Sequence, residues 1–203
     1  MRKLLIQLRH LLLLAMLWLG IGIAFAQTPQ ITRVSESTAN IKLDGYIDEA
    51  VWNDLPIIDG MRVINPDTLA ETPYETHIRF FYTEKGIYVG VINFQPSDTL
   101  IARMTTRDTQ LDRDGFVVGI DASGEGLYGY FLRINLGDSM TDASLLPERT
   151  MNMQWDGAWN GRTQALDNGW SVEYFIPWSM MPLPQVESVR QMGLYFERQV
   201  GHL

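Results

Sequence analysis

The 203 residues carry 24 Asp+Glu against 16 Lys+Arg and no Cys. The missing Cys excludes a disulfide framework, a thiolate metal site, a Cys nucleophile and a cysteine-linked lipid anchor. The acidic balance repels phosphate backbones and anionic headgroups, so nucleic acid is not an expected partner.

In chain order, the first segment reads as an address. Arg2, Lys3 and Arg9 precede an apolar run from Leu11 to Phe25, and Ala24-Phe25-Ala26 places small residues at −3 and −1. This is the order of a secretory signal peptide, residues 1–26, with cleavage expected after Ala26. The remainder is long enough for one domain with a real core, and its 13 Lys+Arg against 24 Asp+Glu make it more acidic still. Residues 27–40 read as a polar lead-in, and the domain is expected over 41–203.

Beyond the lead-in the pattern is one of short β-type runs between turn residues. Glu75–Thr83 and Gly86–Phe94 are rich in β-branched and aromatic residues and predict a hairpin. Gly115–Asp121 and Tyr128–Asn135 predict a second pair across the turn Ala122–Gly126. Gly169–Ile176 and Met192–Arg198 complete six strong strands, with Ile41–Leu43 and Trp159–Ala165 as weaker candidates. Helix is confined to short turns. Asp48–Leu55 predicts two turns with Asp48 as N-cap and Ala50, Val51 and Trp52 turned inward, and Pro177–Met181 predicts another. Many short strands with Gly, Asn and Asp turns predict an all-β, antiparallel β-sandwich of jelly-roll type.

No hydrolase, metalloprotease, P-loop or dinucleotide motif is present. Of the three His, His77 stands alone in a strand with no partner that would make it a catalytic base. The carboxylates Asp44, Asp48, Glu49, Asp108, Asp112, Asp114, Asp121, Asp138 and Asp142 sit mostly in turns beside Gly, where Asp caps its own backbone. Asp108, Asp112, Asp114 and Asp121 also concentrate hard oxygen ligands around one strand. They read either as a solvated acidic loop or as a calcium site, without the spacing of an EF-hand.

Sugar recognition needs flat rings, with polar side chains nearby to bond hydroxyls. Trp52 and Trp170 read as core. Trp155, Trp159 and Trp178 lie in polar connections or at a strand exit and are the candidate platforms, with Arg107 and Asp112 as polar partners. Burial is the competing fate for each ring.

Taken in order, these residues resemble the family 9 carbohydrate-binding modules from about Ile41 to Arg198. Asp44-Gly45-Tyr46-Ile47-Asp48-Glu49-Ala50-Val51-Trp52 resembles the family's D-G-x-x-D-E-x-x-W opening. Thr76–Phe94 is similar to its next hairpin, and Arg107-Asp108 through Asp121 to its acidic approach to an I-D strand. Phe131–Gly137 resembles its F-x-V-N-x-x-G, and Asp167-x-Gly169-Trp170-Ser171-Val172-Glu173 running to Ile176-Pro177 its closing strand. The resemblance implies a non-catalytic module binding a polysaccharide or oligosaccharide at the cell envelope, periplasmic, outer-membrane or extracellular, as an accessory to polysaccharide handling. It also implies a subset in which the module precedes an outer-membrane-type β-barrel. There the domain would be a structural or interaction domain, a plug or cap without sugar binding. A place in a glycoside hydrolase system follows by association only. The sequence departs from the family at one telling point. Sugar-binding members sandwich a terminal sugar between two Trp rings, and Leu111 stands where the first is expected; the second is expected beyond the last residue here.

Overall fold

The computed structural model describes residues 30–109, 111–185 and 189–203. The expected signal peptide and its expected cleavage point lie outside the described residues.

Residues with apolar side chains on alternate positions build two five-stranded sheets. The strands are β1 (Thr32–Arg33), β2 (Thr76–Tyr82), β3 (Gly86–Phe94), β4 (Gly115–Asp121), β5 (Gly129–Asn135), β6 (Ser139–Leu146), β7 (Thr150–Asn152), β8 (Asn160–Leu166), β9 (Gly169–Pro177) and β10 (Gly193–Gln199). One sheet has the order β1-β2-β3-β9-β8 and the other β10-β4-β5-β6-β7. The expected β-sandwich is the observed fold, and all six strong strands are found within one or two residues of their expected bounds. One pairing departs from the all-antiparallel expectation. β1 runs parallel to β2, with Thr32 beside Phe81, so part of the polar lead-in belongs to the first sheet.

The facing sides of the sheets share one core. Ile78, Val89, Val91, Val172, Tyr174 and Ile176 of the first sheet meet Phe116, Val118, Ile120, Leu132 and Ile134 of the second. Alternation along a strand sends the other side chains outward, and on β2 and β3 those include Phe81 and Tyr88. Residues 31–55 fold over them, so Trp52, Leu55, Ala39, Phe81 and Tyr88 make a second buried cluster on the outer face of the first sheet.

Two one-turn helices shape that cover. α1 (Glu36–Ala39) starts at Ser35, whose hydroxyl accepts from Thr38 N at 3.2 Å, and ends at Asn40 in the left-handed region. α2 (Ala50–Asn53) is shorter than expected. Its N-cap is Glu49 rather than Asp48, and Ala50 faces solvent while Trp52 is buried. Ile41–Leu43 is not a strand, although Ile41 packs on the second cluster.

The D-G-x-x-D-E-x-x-W residues are the fastenings of this cover. Gly45 has φ +93°, and a Cβ there would lie 2.8 Å from the Thr163 backbone of β8. Only glycine meets both conditions. The N–H groups of Asp44 and Gly45 donate to Glu173 Oε2 at 3.0 and 2.9 Å, and Ser171 Oγ donates to the Gly45 carbonyl. Glu49 accepts from Lys42 N and from the Trp52 indole N–H. Gly90 leaves space for the ring, since a Cβ there would touch Trp52 and Ile47 at 3.0 Å.

Candidate functional site

β6 is a strand that its composition hides. Ser139–Leu146 is mostly small or polar, yet its residues through Ala143 are buried or half-buried. Asp142 lies opposite Leu132 in the β5–β6 ladder and so points to the same side of the sheet as that core residue. Its carboxylate is fully buried and takes four donors. Arg107 binds it bidentately, Nε at 3.1 Å and Nη2 at 2.6 Å. Gly157 N follows at 2.7 Å and Trp159 Nε1 at 3.0 Å. Bidentate guanidinium–carboxylate pairing fixes geometry as well as adding energy, so these donors set where the Arg107 side chain and the Gly157 backbone lie.

The residues before and after Asp142 in this network come from two loops. Thr105–Asp108 runs beside β6, where Thr105 N donates to Ser139 Oγ at 2.7 Å and Asp108 N to the Met140 carbonyl at 3.1 Å. Gln154–Asn160 wraps the other side. Asp142 therefore brings together three of the residues expected to serve a sugar: Arg107, Trp155 and Trp159.

Their roles divide. Trp159 is 3 % exposed, stacked on Tyr174 with ring centroids 5.6 Å apart, so it is core and not a platform. Its polar neighbours in the sequence made it look external, but its N–H is satisfied inside by Asp142. Trp155 is half-buried and lies against Tyr130 with centroids 4.8 Å apart. A Cβ on Gly157 would come 2.5 Å from the Trp155 ring, so the ring sits directly over that glycine. Asp156, between them, reaches Arg107 Nε at 3.2 Å and stays largely exposed. Trp178 is elsewhere, half-buried on the core, with Nε1 donating to the Thr83 carbonyl at 2.9 Å and its ring edge-on to Tyr82.

The expected calcium ligands do not gather. Asp114 is fully buried and accepts from Ile101 N, Gln95 Nε2 and Gly201 N. Asp121 caps its own turn. Burial pushes its carboxyl up, but bonds from the Ser123 hydroxyl and the N–H groups of Gly126, Ser123 and Gly124 outweigh that and hold it below its ordinary value. Asp112 is exposed. Among the described residues, the carboxylates that come within 4.8 Å as a group are Asp108, Asp142 and Asp156. Arg107 is already paired with two of them, in the place a cation would take.

A second surface lies on the outer face of the second sheet. Tyr195 is 49 % exposed and leans over Gly119, its hydroxyl donating to Glu197 at 2.8 Å. Phe131 stands beyond Gly119 in the same cross-strand row, and the Arg133 guanidinium rests 5.2 Å from its ring. Leu111 is 44 % exposed.

No protein-family model matches the chain, and no curated protein matches it. Solved structures do. A family 9 carbohydrate-binding module from Caldicellulosiruptor kristjanssonii, in complex with cellotriose, superposes with a TM-score of 0.56 at 16 % identity, covering 82 % of this chain and 75 % of that one. The same organism's module with glucose gives 0.56 at 17 % identity, over 82 % and 76 %. The fold is that of the family 9 modules. A candidate carbohydrate-binding protein from Bacteroides uniformis gives 0.62 at 12 % identity, over 83 % of this chain and 81 % of that one. At these identities the likeness speaks for the family 9-like fold alone.

Asp156 and Tyr130 carry no sequence signal that marks them as site residues. Asp142 reads from the sequence as one of the turn carboxylates, and Asp138 does sit in a turn, whereas Asp142 lies within β6. The available signal was Thr141–Ala143 itself, small residues next to a predicted hairpin partner.

Proposed function

We propose that this chain is a non-catalytic carbohydrate-binding domain, exported to the cell envelope, that rests a sugar on Trp155 and bonds its hydroxyls through Arg107 and Asp156. One observation carries the reading. The buried Asp142 carboxylate fixes both Arg107 and the Trp155–Trp159 loop, so a partly open indole ring and two charged groups are held side by side. Pre-organisation of this kind lowers the ordering cost of binding a flexible, well-hydrated ligand, though few contacts give modest affinity. The family 9-like fold supports the class. Glucose and cellotriose, bound by the neighbours, are the first sugars to try. Titration by calorimetry should give saturable binding in wild type and at least a tenfold loss in Trp155→Ala, with Trp178→Ala unchanged. Equal binding by wild type and Trp155→Ala would place the sugar elsewhere.

A second reading has its own observation. Leu111, exposed where sugar-binding members carry a clamping Trp, favours a structural domain working with an outer-membrane β-barrel. Folded protein that binds no sugar across a broad glycan panel would support that reading.

A further inference from the structure

Among the described residues, a buried carboxylate outside the proposed sugar site stands without a cation. Glu173, in the middle of β9, is fully buried beneath the cover formed by residues 41–55. Its Oε2 receives the backbone N–H groups of Asp44 and Gly45, while its Oε1 is buried with no partner. We propose that Glu173 is a proton-linked latch, seating residues 41–55 on the outer face of the first sheet more firmly when protonated than when ionised.

The charges around it favour that reading. From the cover, the carboxylates of Glu49 and Asp44 repel an ionised Glu173, and Lys42 spends its charge on Asp44 at 2.8 Å. From β8, Arg162 stands opposite Glu173 in the ladder, but it is exposed and its Nη1 donates to the Gly161 carbonyl. From β2, Arg79 shares the cross-strand row but is separated by Gly90, over which Trp52 sits. Among the described residues no cation pairs with Glu173. Burial is the largest influence and pushes its carboxyl up to about 7, against the two backbone donors that favour the anion. A protonated Glu173 keeps both accepted bonds on Oε2 and removes the charge from the dry face.

The sign follows from proton linkage. The seated cover holds a proton up to about pH 7 that the open, solvated carboxyl gives up near 4.5. Seating is therefore strongest below pH 4.5, weakens as pH rises toward 7 and levels off above. Over that window the opening equilibrium grows by on the order of 100-fold.

Hydrogen exchange of the Asp44 and Gly45 amides, corrected for the intrinsic pH dependence of exchange, measures that opening. Between pH 5 and 8, wild type should show the rise on the order of 100-fold, and Glu173→Gln should change less than about threefold. A pH-independent wild type, or a Glu173→Gln variant that keeps the rise, would overturn the latch. Should that variant not fold, a carbon-13 titration of the Glu173 carboxyl in wild type decides. A midpoint near 7 sustains the proposal, and one at or below 4.5 ends it.

Discussion

Glu173 and Asp142 are both fully buried carboxylates on neighbouring layers of one sandwich, and they are solved in opposite ways. Asp142 faces a guanidinium, an indole N–H and a backbone N–H, donors that reach both of its oxygens. Glu173 has two backbone N–H groups on one oxygen, nothing on the other, and two carboxylates nearby. A buried charge is therefore not one kind of object. With a cation it fixes geometry for a surface site; without one it becomes sensitive to protons.

The contrast can be pressed by substitution. The largest effect belongs to Asp142→Ala, which leaves Arg107, Gly157 N and Trp159 Nε1 without their acceptor and should cost about 3–5 kcal/mol in chemical denaturation. Trp52→Ala empties the core of the cover beside Phe81 and should cost a similar ~3–5 kcal/mol, but without touching sugar binding. A smaller effect is read at Glu173 by pH. Raised to about 7, Glu173 makes the native state bind the extra proton between 4.5 and 7, so it lowers global stability as pH climbs through that range. Glu173→Gln should stabilise at pH 8 by about 1–3 kcal/mol and have little effect at pH 4.5, read from melting at both values. Smallest is Tyr195→Phe, which loses one exposed hydroxyl bond to Glu197 and should stay within about 0.5 kcal/mol of wild type.

What the sequence disclosed depended on how each residue announces itself. Hairpins such as Thr76–Phe94 carry β-branched and aromatic residues in alternation, and both Trp52 and Trp170 lie in the core as expected. β6 escaped because its buried positions are Ser139, Thr141, Asp142 and Ala143, small or polar residues beside which the Thr105–Asp108 loop runs. β1 and α1 escaped for a different reason. Their residues are polar outward, and only Ala39 of the helix is buried. At the site, Trp155 and Arg107 were legible from composition, whereas the fate of Trp159 turned on Asp142, a partner 17 residues away. Pairings at that separation leave no periodicity to read.

Calorimetric titration of wild type and Trp155→Ala with cellotriose asks whether the Asp142-braced corner holds sugar. Saturable heat in wild type, reduced at least tenfold in affinity by the substitution while the fold is retained, is the predicted result. Identical isotherms from the two proteins would contradict it.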